Sequence, residues 1–189
     1  MKTIRTFVAI PLPSDIARTA SRWMAETKTP GDGIKWVPEE NLHLTLKFLG
    51  EVDNVETPAV CNTVEDACEE LDPFPLALGG ASGIPVIDRP RVLTIDVDDP
   101  TSSLVQLVAD LEKRFAALGY KPESRDYRPH LTVGRTRSGT RRANSAVVDR
   151  WRRFADDEVG EMTVNELHVV GSFLEKHGPS YNVLGRVQL

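Results

Sequence analysis

"NLHLTLKFLG", residues 41–50, alternates leucines with polar side chains as a half-buried strand does, yet two of the polar residues are a histidine and a threonine. Successive strand residues point to opposite faces, so Leu44 and Leu46 face a core while His43 and Thr45 share the other side. "RPHLTVGR", residues 128–135, repeats the arrangement, with His130 and Thr132 opposing Leu131 and Val133. A lone strand histidine is ordinarily half-buried and bonded to a neighbour. Two His-x-Thr triplets in the same apolar setting point instead to two halves of one site.

Around these stretches, strand and helix patterns follow one another. "TIRTFVAIPL" (3–12) is a strand closed by prolines, and Ile16, Ala20, Trp23, Met24 and Thr27 then fall at helical spacing. "IKWV" is a short strand. A helix is predicted from about Thr57 to Leu71, with Pro58 in its first turn. "DPFPLALGG" and "SGIPV" are two short strand candidates, and "RVLTIDVD" alternates as a third. The clearest helix runs from Thr101 to Leu118 and stops at Gly119. A weaker helical pattern spans about Arg141 to Phe154, before strands in "MTVNELHVVGSF" and "YNVLGRVQL". Several strands between helices, joined by turns too short for parallel crossovers, predict an α+β fold with largely antiparallel sheets. No linker interrupts the 189 residues, and a single domain, 1–189, is expected.

With 40% hydrophobic and 27% charged residues the composition is that of a globular protein. No apolar run approaches the roughly 20 residues that span a bilayer, and "MKTIRTFVAIPLPSD" lacks a signal-peptide core, so no membrane partner and a cytoplasmic location are expected. Cys61 and Cys68 stand seven positions apart in the second helix, about 10 Å at helical rise, too far for a disulfide and without zinc-site spacing. The net charge of −5 is unevenly spread: residues 51–72 hold eight acids and no base, residues 121–153 ten bases against three acids. The ordinary meaning of such runs is a pair of solvated faces. The functional alternative is a basic rim beside His130 that attracts an anionic substrate.

Two imidazoles suit a reaction in which one group accepts a proton while another donates one. Hydrolysis of a cyclic phosphodiester needs both acts, and the hydroxyls of Thr45 and Thr132 are suited to hold non-bridging oxygens. No metal and no cofactor is needed for this scheme. Neither triplet offers a third zinc ligand at metal-site spacing. No nucleophile turn, P-loop or dinucleotide fingerprint is present, and "GRTRSGTRR" has neither glycine spacing. His168 and His177 lack a partner motif and are expected to be structural or exposed.

These residues resemble the two-histidine (2H) phosphoesterase superfamily, specifically the bacterial and archaeal RNA 2′,3′-cyclic phosphodiesterases once named 2′-5′ RNA ligases. "RTFVAIPLP", "IKWVPEENLHLTLKFLGEV", "RPRVLTIDV", "YRPHLTVGR" and "GPSYNVLGRV" are similar to that family's successive strands and motifs, in the same order. The resemblance implies two pseudo-symmetric lobes, each a mostly antiparallel sheet flanked by helices, with the active-site cleft between them. It implies a metal-independent opening of RNA 2′,3′-cyclic phosphates to 2′-phosphomonoesters, with RNA ends or nucleotides as partners. A monomer is expected. It places His43 as general acid, His130 as general base, and Thr45 and Thr132 on the phosphate oxygens. Arg135 matches an arginine that meets the phosphate, and Phe48 an aromatic near the nucleoside. Strict alternation, however, puts both on the faces opposite their threonines, so they reach the cleft only where the strand twists, bulges or ends, and Phe48 beside Leu46 is equally a core residue. Ligation of RNA halves by the same site, and binding of RNA ends without turnover, are the alternatives.

Overall fold

The computed structural model describes residues 2–137, 139, 143–175 and 178–189; His177, Arg141 and Arg142 lie outside the described residues. The described elements run β1 (Thr3–Pro11), α1 (Ser14–Thr27), β2 (Ile34–Trp36), β3 (His43–Asp53), α2 (Thr57–Cys68), β4 (Phe74–Ile84), β5 (Val92–Asp98), α3 (Ser103–Ala117), β6 (His130–Thr136), α4 (Ser145–Arg152), β7 (Glu158–Val164), β8 (Glu166–Glu175) and β9 (Gly178–Gln188). The strands form two antiparallel sheets, one ordered β3-β1-β8-β9 and the other β2-β6-β5-β4-β7. The fold is α+β with two lobes, as the strand-rich order between helices predicts.

Each lobe buries the apolar stripes of two helices. Ile16, Ala20, Trp23 and Met24 of α1 turn inward, and α1 packs on β7 and α4 of the five-stranded lobe. Leu104, Leu107, Val108, Leu111 and Phe115 of α3 turn inward beside β3 and α2 of the four-stranded lobe. The helices thus pack across the chain order: α1 leaves a strand of one sheet to cover the other, and α3 does the reverse. One continuous core includes Val8 and Leu44 from the first sheet together with Leu93 and Leu131 from the second.

β1 lies between β3 and β8 and is buried on both faces. Val8 and Ile10 join the main core, whereas Phe7 and Ala9 join a small cluster with Val170 and Tyr181 on the opposite face. His43 and Thr45 lie on that second face.

One strand prediction is corrected. "DPFPLALGG" and "SGIPV" form a single strand, β4, which keeps pairing with β5 through an irregularity between Gly79 and Ala81. Gly80 sits there at φ 74°, a left-handed conformation that costs glycine little, so the glycine pair bends the strand without ending it. Pro75 pairs only with β7, before the ladder with β5 begins, so no hydrogen bond to β5 is lost. The cysteines are free, as their spacing predicts; Cys68 is buried and Cys61 half-buried.

Candidate active site

Each His-x-Thr strand carries one extra residue just past its threonine. Thr45 lies opposite Ala9 and Lys47 opposite Val8, which leaves Leu46 without a partner. Directly opposed residues share a face in an antiparallel pair, so the bulge turns Leu46 and Lys47 inward in succession and returns Phe48, opposite Phe7, to the face of Thr45. The second strand repeats this. Thr132 lies opposite Thr94 and Gly134 opposite Leu93, so Val133 is the extra residue and Arg135, opposite Val92, returns to the face of Thr132. Strict alternation is therefore wrong for Phe48 and Arg135 at the same step of each motif. Phe48 is 61% exposed and is not a core residue.

His43, Thr45, Phe48, His130, Thr132 and Arg135 all line one cleft of about 1380 Å³ between the sheets. The two histidines are held alike. His43 Nδ1–H donates to the Asn41 carbonyl at 2.7 Å, and His130 Nδ1–H donates to the Arg128 carbonyl at 2.7 Å. Each bond, to a carbonyl two residues upstream, fixes the tautomer and leaves Nε2 for a substrate. The His43 ring also stacks on Phe7 at 4.8 Å between centroids and meets the edge of Tyr181 at 5.4 Å. Burial lowers the pKa of His43 below the usual imidazole value; the Asn41 carbonyl opposes that shift, and the Arg135 guanidinium adds to it.

Two contacts tie the segment leading to His130 onto β3. Tyr127 Oη–H donates to the Thr45 carbonyl at 3.2 Å. Lys47, 4% exposed, places its ammonium 2.8 Å from Glu112 Oε2 and 2.9 Å from the Lys121 carbonyl. Glu112 Oε2 accepts from the Glu123 N–H as well. Burial pushes the Tyr127 phenol well up, so it remains a donor.

A model of the 2′-5′ RNA ligase superfamily matches residues 12–172. The chain belongs to this superfamily. A Methanothermobacter thermautotrophicus protein named RNA 2′,3′-cyclic phosphodiesterase is 34% identical over 178 residues, covering 94% of this chain and 95% of that one. An Aquifex aeolicus protein of the same name is 30% identical, covering 97% and 96%. Among solved structures, Escherichia coli LigT complexed with 3′-AMP superposes with a TM-score of 0.79 at 26% identity, covering 100% of this chain and 99% of that one. Thermus thermophilus TT0787 gives 0.80 at 25%, covering 98% of each.

Several groups in or behind the cleft of this superfamily member were not apparent from the motifs. Phe7 and Tyr181 flank His43 but come from β1 and β9, and only the folded sheet brings them there. Lys47 did leave a signal, a lone charge inside an apolar strand. The basic rim is only partly where the charge run put it: Arg125, Arg128 and Arg135 line the cleft, joined by Arg89 and Arg91 from the β4–β5 loop. Arg152, on α4, pairs with Asp88 instead. His168, in β8, is mostly buried, with its Nε2 3.3 Å from Glu166 Oε1.

Proposed function

We propose that this protein hydrolyses RNA 2′,3′-cyclic phosphate ends to 2′-phosphomonoesters by acid–base catalysis between His43 and His130. The twin histidine geometry carries this reading: two imidazoles, each pinned through Nδ1 to a backbone carbonyl and each beside a threonine, meet in one cleft. The name shared by its relatives supports the same reaction, and the 3′-AMP bound to the E. coli protein supports a nucleotide in this cleft.

In this scheme His130 Nε2 takes a proton from water as its oxygen bonds to phosphorus. The bond from phosphorus to the ribose 3′-oxygen breaks, and His43 gives that oxygen its proton, leaving a 2′-phosphate and a 3′-hydroxyl. Thr45 and Thr132 donate to the non-bridging oxygens, where negative charge accumulates, and Arg135 offsets that charge. Phe48 offers a ring face to the terminal base. The chain supplies every group the scheme uses, so one copy suffices and we propose a monomer. Among the described residues no helix is long and apolar enough to cross a membrane; a cytoplasmic setting fits an RNA-end substrate.

The test is incubation with an oligoribonucleotide ending in a 2′,3′-cyclic phosphate, with and without EDTA. The expected product is the 2′-phosphate in both cases. His43→Ala and His130→Ala are each expected to lower the rate by about 10² to 10⁴. No product from the intact protein would sink the reading, and loss of activity in EDTA would sink its metal independence.

A further inference from the structure

The cleft carries more free positive charge than its proposed reaction centre uses. A 2′,3′-cyclic phosphodiester bears one negative charge, whereas Lys47, Arg89, Arg91, Arg125, Arg128 and Arg135 all line the cleft. Two of these six are occupied: Lys47 by Glu112 at 2.8 Å and Arg128 by Asp96 at 2.8 Å. Asp88, the acid of the β4–β5 loop, pairs with Arg152 on α4 rather than with its neighbour Arg89. Among the described residues no carboxylate lies within ion-pair distance of Arg89, Arg91, Arg125 or Arg135. Glu123 and Asp126 also face the cleft, but they neighbour Arg125 in sequence, and the residues that the β4–β5 side contributes to the cleft lining include no acid.

That side is also tied down by its backbone. The Arg91 N–H donates to the Ile84 carbonyl at 2.7 Å, and the Arg91 carbonyl accepts from the Thr136 N–H at 2.9 Å, next to Arg135. Pro90 folds back on Gly83 so closely that a Cβ there would lie 2.7 Å from the proline Cβ. The loop therefore presents Arg89 and Arg91 from a fixed base instead of a floppy tip. The cleft volume of about 1380 Å³ exceeds the roughly 300–1,000 Å³ that encloses a single small ligand.

We propose that Arg89 and Arg91 form a subsite for the RNA backbone 5′ to the cyclic end, so that the protein acts on polynucleotides in preference to 2′,3′-cyclic mononucleotides. This rests on the reaction proposed above and deepens it. Guanidinium pairs hold phosphates through charge and directed hydrogen bonds, and neither demands a particular base.

Two substrates and one variant test it. Adenosine 2′,3′-cyclic phosphate and a short oligoribonucleotide with the same cyclic end are compared in the intact protein and in Arg89→Gln/Arg91→Gln. The intact protein is expected to favour the oligomer in kcat/KM. The double variant is expected to lose about tenfold more on the oligomer than on the mononucleotide. The salt slope of oligomer binding should fall by about 0.7 for each phosphate contact removed. Equal losses on both substrates, or no preference in the intact protein, would overturn the subsite. Oligomer binding is followed in parallel by fluorescence anisotropy against salt. If neither substrate turns over, the proposed reaction fails, while an unchanged slope in the variant still refutes the arginine track and a reduced one upholds it. Unchanged circular dichroism in the variant excludes misfolding as the cause.

Discussion

At the scale of single residues, His43 is asked to donate a proton from a place that disfavours carrying one. Burial and the Arg135 charge both lower its pKa, so the free cleft holds it mainly neutral near neutral pH. An anionic substrate beside it acts in the opposite direction, raising the protonated fraction when it is needed. The sign can be tested through Arg135. A general acid works only while protonated and a general base only while neutral, so the two limbs of the pH–rate profile belong to the histidine pair. Arg135→Gln removes a positive neighbour and raises the His43 pKa, so the limb that reports His43 is expected to move to higher pH, whatever the loss in rate. A profile with neither limb moved would show that Arg135 does not bear on the His43 proton. Both histidines were legible in the sequence because a repeated His-x-Thr on an apolar strand is rare. The direction of the His43 shift was not, since it depends on Phe7, Tyr181 and Arg135 arriving from other strands.

At the scale of elements, the paired bulges and the buried lysine make the site. Helices and most strands were legible because period and alternation are local properties. A bulge is a property of register between two strands, so alternation alone sent Phe48 and Arg135 to the wrong faces. The same holds for β4, where two glycines looked like a break and proved to be a bend. Lys47 fills the inward position that the β3 bulge creates and holds α3 and the Lys121 carbonyl to that strand. Gly134 occupies the matching position in β6, where a Cβ would lie 2.7 Å from Ile34 Cγ2. Lys47→Met is expected to cost about 2 kcal/mol in urea unfolding, below the roughly 3–5 kcal/mol of a fully enclosed pair because Glu112 is partly exposed. Adding Glu112→Leu is expected to recover much of that stability, since a buried apolar pair avoids the desolvation cost. Neither variant is expected to regain kcat, because the tie to the Lys121 carbonyl, which places the segment before His130, is absent in both. Full recovery of kcat in the double variant would reduce Lys47 to a stabilising role.

At the scale of the whole molecule, the sequence indicated two related halves but not how they interlock. Which sheet a helix covers is decided by non-local packing, and no pattern in α1 or α3 announces that each covers the sheet its preceding strand does not belong to. That exchange is why we propose that residues 1–189 unfold as one domain. Pulling either lobe away would strip a helix from the other and open a core that Val8, Leu44, Leu93 and Leu131 share. The chain offers a separate reporter for each lobe. Its three tryptophans, Trp23, Trp36 and Trp151, lie on α1, β2 and α4, all in the five-stranded lobe. Cys68 lies on α2 in the four-stranded lobe, where burial hides the thiol and pushes its pKa up to about 11. In a Cys61→Ser background, Cys68 is the sole thiol, because the chain has only two cysteines. Tryptophan fluorescence and the reaction of Cys68 with a thiol reagent are expected to change at the same urea concentration, as coincident probes do in a two-state transition. Labelling of Cys68 at lower urea, before any change in fluorescence, would show the four-stranded lobe opening alone and would refute the single domain.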